Sequence, residues 1–138
     1  MGYSMSLQDQ KFLLKRSDAA KALEALKELF RKHPNGPNNY GHFSWIETKD
    51  VLSANSLQKA MRACRWGLET NGGDDGDFDI IEFDGEKLGD DELIFSAIAP
   101  FVKDDSFVEM RGEDGSIWKW VFKDGKVKEK TGKVVFED

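Results

Sequence analysis

The chain has 138 residues, 39% of them hydrophobic and 12% aromatic, with 26 acids against 20 bases for a net charge of −6. That length and apolar content suit one folded unit with its own core and exclude an intrinsically disordered chain. No apolar run reaches the ~18 residues of a membrane span, so no membrane partner is expected. The acidic total argues against direct nucleic-acid binding.

Cys64 is the one cysteine. A lone thiol makes neither an internal disulfide nor a Cys-rich zinc site, and such scarcity suits a reducing cytoplasm, the location expected here. Met1 to Gln10 shows no basic stretch followed by an apolar one, so no secretory signal is expected. The opening Met1-Gly2-Tyr3-Ser4-Met5-Ser6 formally fits the myristoylation pattern. No basic cluster follows to supply a second anchor, and a plain first strand is the simpler reading.

Tyr3 to Leu14 reads as extended, with Met5 and Leu7 alternating with polar residues and an irregular end around Gln8-Asp9-Gln10. A first helix is predicted from about Asp18 to Lys32, capped by Ser17, whose hydroxyl can accept from free backbone N–H groups. Ala19, Leu23, Leu26 and Phe30 form its apolar stripe. Pro34 to Asn39 reads as a loop, because proline lacks the N–H donor and restrains its predecessor. His42 to Glu47 reads as a strand carrying Phe43 and Trp45.

A second helix is predicted from about Leu57 to Leu68, capped by Asn55 or Ser56, with Leu57, Ala60, Met61, Cys64 and Leu68 on one stripe. Asn71-Gly72-Gly73 signals a turn. Phe78 to Phe83 reads as a strand centred on Ile80 and Ile81, and Asp84-Gly85 turns the chain. A third helix is predicted from about Asp91 to Ala99, its acids Asp90, Asp91 and Glu92 placed where a helix N-terminus favours negative charge. Leu93, Ile94, Ala97 and Ile98 face its core side, and Pro100 closes it.

Four extended runs follow: Phe107 to Arg111, Ile117 to Phe122, Val127 to Lys130 and Val134 to Glu137. Glycine-bearing turns separate them, at 112–115, Asp124-Gly125 and Thr131-Gly132. Asp-Gly between alternating runs is a strong hairpin signal, and the pattern is an antiparallel meander. Trp118, Trp120 and Phe122 share one strand face, with Ile117, Lys119 and Val121 on the other. The fold class is therefore α+β: a single domain over 1–138, in the order β-α-β-α-β-α and then a β-meander. Its helices pack on one face of the sheet.

The charge is unevenly spread. Asp74 to Glu92 holds ten acids and one base, a local charge of −9, which leaves +3 for the rest of the chain. One reading is a solvated surface. The other is a surface for a basic partner, such as a nucleic-acid-handling protein, because dense like charge steers encounter with the opposite sign. Its candidate residues are Asp74, Asp75, Asp77, Asp79, Glu82 and Asp84. Trp66 and Arg62 join them, because helical spacing puts Trp66 opposite the apolar stripe beside Lys59 and Arg62. Burial between sheet and loop is the plainer reading of Trp66.

Asn71 to Glu82 also matches part of a calcium loop, with Asn71, Asp75, Asp79 and Glu82 as oxygen ligands and Gly76 at the turn. Gly73 offers no ligand where one is needed, and the exit helix is doubtful. No cofactor fingerprint is present, and no phosphate-cradling glycine loop. Catalytic candidates are thin: His33 and His42 are the only histidines. Cys64 stands on an apolar stripe, where a thiol is inert.

The segments Met1-Gly2-Tyr3, Gly85 to Glu92, Ala99-Pro100-Phe101-Val102, Gly112 to Gly115, Trp118 to Phe122 and Gly132 to Glu137 resemble a group of small proteins of bacteria and their phages. The resemblance covers about residues 78–137 and the start. It implies a prokaryotic or phage origin and carries no activity, cofactor or catalytic residue. The functional expectation is a small acidic, non-catalytic binding protein, an accessory that acts on another macromolecule. The alternatives are a nucleotide or small-ligand binder stacking on Trp66, Trp118 or Trp120, an enzyme using its carboxylates, and a calcium-loop protein.

Overall fold

A computed structural model describes residues 5–32, 48–70, 76–83 and 91–133. The loop at 34–39, both histidines, the strand expected at 42–47 and the last run at 134–137 lie outside the described residues. The described part is α+β, with four helices and two antiparallel sheets.

Strand β1 spans Met5–Lys11. Its register against a later strand slips between Leu7 and Asp9, a bulge at the place where the sequence alternation breaks. The chain then makes a 3-10 turn, Arg16–Asp18, and enters helix α1, Ala19–Lys32. Ser17 is not the expected cap. It lies inside the turn, which closes instead through Asp18 N–H donating to Lys15 O at 2.9 Å. Ala22, Leu26 and Phe30 are buried at four-residue spacing, while Ala19 and Leu23 are only partly covered.

Helix α2, Thr48–Leu52, is one turn long and carries no sequence signal strong enough to predict it. Helix α3, Leu57–Ala63, is capped by Ser56, whose Oγ accepts from Lys59 N–H at 3.2 Å. It was expected to continue to Leu68. It stops because Arg65 takes φ +78°, in the left-handed region, and reverses the chain into strand β2, Trp66–Thr70. Leu68 keeps the helical apolar spacing by coincidence, which is why periodicity overran the true end.

Strand β3, Phe78–Phe83, falls where the sequence put it and pairs with β2. Helix α4, Asp91–Ile98, runs into a 3-10 turn, Ala99–Phe101. Strands β4 (Phe107–Gly112), β5 (Ser116–Lys123) and β6 (Lys126–Lys133) form the meander. Asp124 and Gly125 take φ of +54° and +74°, so the two-residue Asp-Gly hairpin is real. Thr131-Gly132 is not a turn. β6 runs straight through it, with Thr131 opposite Trp118 and Gly132 opposite Ile117.

One sheet was expected, and there are two: β1-β4-β5-β6 and β2-β3. Leu14, just past β1, bridges to Phe78 of β3 and to Val102 ahead of β4. An aromatic seam then fuses their cores. Trp66 of β2 lies 4.7 Å from Phe83, 4.9 Å from Phe95 of α4 and 6.0 Å from Trp120 of β5, centroid to centroid. Tilted and edge-on rings at these distances add to the ~1.5–3 kcal/mol that each large buried apolar side chain contributes. The inner face of the large sheet (Val108, Met110, Trp118, Trp120, Phe122) packs on this seam. Its outer face, opposite to this core side by strand alternation, sets up the candidate site.

Candidate functional site

The acidic candidates separate on inspection. Asp74, Asp75 and Asp84 lie outside the described residues, as does Asn71. Asp77 accepts from Arg16 N–H at 3.0 Å, and Arg16 Nε donates to Gly76 O at 3.2 Å. Glu82 accepts from Arg62 Nη2 at 2.6 Å, both side chains being half exposed. The pair arches over Gly67: a Cβ there would stand 2.6 Å from Glu82 Cγ and 2.8 Å from Arg62 Nη2. Asp79 is partly buried on β3. The described acids are thus already engaged with neighbours rather than standing as a free row.

The calcium reading loses its geometry as well. The segment that should begin an exit helix is strand β3, and the next described helix starts only at Asp91. Among the described residues, no three His, Cys, Asp or Glu side chains gather in a way that would hold a metal.

Trp66 follows the plainer of its two readings, burial, and is corrected in its element and as a surface candidate. It is on β2, not on a helix, and is fully buried. Its indole Nε1 donates to Asp91 Oδ1 at 3.0 Å, and Asp91 is itself 1% exposed. Arg65 Nη2 reaches Asp91 Oδ2 at 3.5 Å and the guanidinium lies 5.1 Å from the Phe83 centroid. A buried carboxylate is costly alone and is tolerated when charge and hydrogen bonds surround it. Asp91 has an arginine, an indole N–H and the N-terminus of α4. The acid expected to cap a helix at the surface is instead the polar centre of the core.

Cys64 lies beside this group. Burial, reinforced by the Asp91 charge and only partly offset by Arg65, pushes its thiol far above the ordinary range. The inert core thiol expected from the stripe is what the structure contains. Trp118 and Trp120 are also buried, as expected from their strand face. With Trp66, Trp118 and Trp120 all inside, stacking a nucleotide on an exposed indole is excluded for these three.

The outer face of the large sheet differs in kind. Alternation and register place Phe107, Glu109 and Arg111 of β4 there, with Ile117, Lys119, Val121 and Lys123 of β5 and Lys126, Lys128, Lys130 and Gly132 of β6. Lys11 and Asp9 of β1 extend it. Among the described residues, seven cations meet two acids on this face. Phe107, Ile117 and Val121 form a half-buried apolar strip along its centre. Lys119 Nζ sits 5.4 Å from the Phe107 centroid. Among the described residues none of these lysines forms an ion pair. A shallow depression of about 150 Å³ opens over Ile117, bordered by Glu109, Lys119, Lys130 and Gly132.

Part of this face is legible in the sequence, in the alternation of Ile117, Lys119 and Val121 and in the lysines that follow. It could not show that β6 continues through Thr131-Gly132. The outward surface of α1, by contrast, is internally paired. Arg31 Nη1 donates to Glu24 at 2.7 Å and to Glu28 at 3.1 Å, and its hydrogen bond and charge hold the Glu24 carboxyl below its usual range.

Comparison with family models, curated proteins and solved structures finds no match to this chain. No described helix is long and apolar enough to cross a membrane.

Proposed function

We propose that this chain is a non-catalytic binding protein that holds another macromolecule through the outer face of the β4-β5-β6 sheet. The observation that carries the reading is the composition of that face: a half-buried apolar strip framed by lysines without ionic partners among the described residues. Apolar centre and charged rim are the anatomy of an interaction surface. The working surface is therefore cationic, although the molecule as a whole is acidic. The bacterial or phage setting of an accessory protein rests on the sequence resemblance alone.

The test is affinity capture from a nuclease-treated bacterial lysate with three baits: the wild type, Lys119→Glu/Lys130→Glu and Glu82→Gln. A macromolecule held by the wild type and by Glu82→Gln, and released by the lysine reversal, supports the reading. Capture indifferent to the lysines, or lost with Glu82→Gln, refutes it and returns the acidic strand to the centre.

A further inference from the structure

We propose that the outer face of β5 and β6 takes an acidic polypeptide segment, bound extended and carrying an apolar anchor residue. This rests on the binding reading above and names its partner. Three observations converge on it.

First, the register sets Lys119 directly opposite Lys130, and Lys123 directly opposite Lys126. Like charges facing each other across a strand pair destabilise the sheet. Carboxylates laid between them convert two repulsions into attractions. Among the described residues the acids on the same face are Glu109, opposite Lys119 on the other side, and Asp9.

Second, Gly132 lies inside a strand with no turn to make, and a Cβ built on it meets nothing within 4 Å. Glycine in a strand interior weakens the strand and marks a place where another chain approaches closely. Here the missing side chain opens the depression over Ile117. An aliphatic side chain fits that floor, with Lys119 and Lys130 at its border.

Third, the spacing and residue types select among anions. Lys126, Lys128 and Lys130 lie on one face at every second residue. An extended peptide repeats at the same ~6.4–6.8 Å per two residues, so alternate carboxylates meet successive lysines. Single-stranded nucleic acid binds sheets through exposed rings on which bases stack. On this face Ile117 and Val121 hold the central positions, and the one ring among the described residues, Phe107, already carries Lys119. The cations are mainly lysines rather than the arginines that clamp phosphate bidentately.

The experiment is fluorescence anisotropy with a labelled peptide of alternating Glu and Leu. Polyglutamate, oligothymidylate and phosphatidylserine vesicles serve as competing probes. The peptide is expected to bind more tightly than polyglutamate and to weaken at high salt. Lys130→Glu should lower its affinity about tenfold while raising the melting temperature, because it replaces a Lys–Lys pair by a Lys–Glu pair. Gly132→Val should abolish the preference for the Leu-bearing peptide over polyglutamate. Unchanged peptide affinity in both variants overturns the proposal. Binding of oligothymidylate or vesicles in place of the peptide, lost with Lys130→Glu, overturns the partner class and leaves the surface intact. Failure of every probe, together with lysate capture indifferent to the lysines, overturns both readings.

Discussion

Two charged regions of this molecule look alike in sequence and behave oppositely in the fold. Around β3 and α4 three of the described acids are met by their neighbours: Asp77 by the Arg16 backbone, Glu82 by Arg62, Asp91 by Trp66 and Arg65. On the outer face of β5 and β6, lysines face lysines. Charge density is therefore a poor guide to a working surface. What matters is whether the fold has already supplied the counter-charge. Asp77, Glu82 and Asp91 of the dense cluster are spent on structure, and the lysines of the sparser one are left for a partner.

The largest effects should come from the interior side of the comparison. Trp66→Ala removes the ring that joins both sheets and should cost about 3–5 kcal/mol in denaturant unfolding. A loss below about 1 kcal/mol would place Trp66 at the surface. Asp91→Ala leaves Arg65, 10% exposed, without its carboxylate, and should cost about 3 kcal/mol. Asp91→Asn, which keeps an acceptor for the indole, should cost less. Equal losses in the two variants would deny the indole bond.

Cys64 sharpens the same side through pH. The folded thiol titrates far above the unfolded value of about 8.5, so folding favours the protonated form. That stabilisation is complete below pH 8.5 and is lost as pH rises above it, because the unfolded chain then ionises and the folded one does not. The expected slope is up to about 1.4 kcal/mol per pH unit. Stability measured between pH 8 and 10.5 should fall less steeply in Cys64→Ala than in the wild type; parallel slopes would contradict the burial argument.

Smaller effects belong to the surfaces. Gly67→Ala must push Glu82 and Arg62 apart and should cost about 1 kcal/mol, whereas Arg62→Ala, which removes a half-exposed pair, should cost less than about 1 kcal/mol. A larger loss for Arg62→Ala would give that pair more weight than its exposure allows. Least of all, Lys130→Glu should stabilise the fold by about 0.2–1 kcal/mol. Destabilisation there would mean that the lysine ladder serves the fold itself.

The sequence was informative where local chemistry decides the structure. β3, the Asp-Gly hairpin, the inward Trp118-Trp120-Phe122 face and the buried Cys64 follow from alternation, turn residues and helical spacing. It misled where one backbone angle or one long-range contact decides. Arg65 at φ +78° ends α3 early, and nothing in its local pattern announces that reversal. The outward alternative for Trp66 arose only because the helix was extended through it, and burial, its plainer reading, is what the fold contains. Asp91 reads as a helix-capping acid until Trp66 and Arg65, 25 and 26 residues away in the chain, close on it. Thr131-Gly132 has turn composition, yet pairing with Trp118 and Ile117 carries the strand through. The split into two sheets is likewise a matter of distant pairing.

The most direct test of the contrast between spent acids and available lysines is retention on a sulfonate cation-exchange resin at pH 7.5 and low salt. A protein of net charge −6 should pass through such a resin unless its cations are gathered and free. The account predicts that the wild type is retained, that Glu82→Gln elutes with it, and that Lys119→Glu/Lys130→Glu flows through. Passage of the wild type, or retention of the lysine variant, would contradict it.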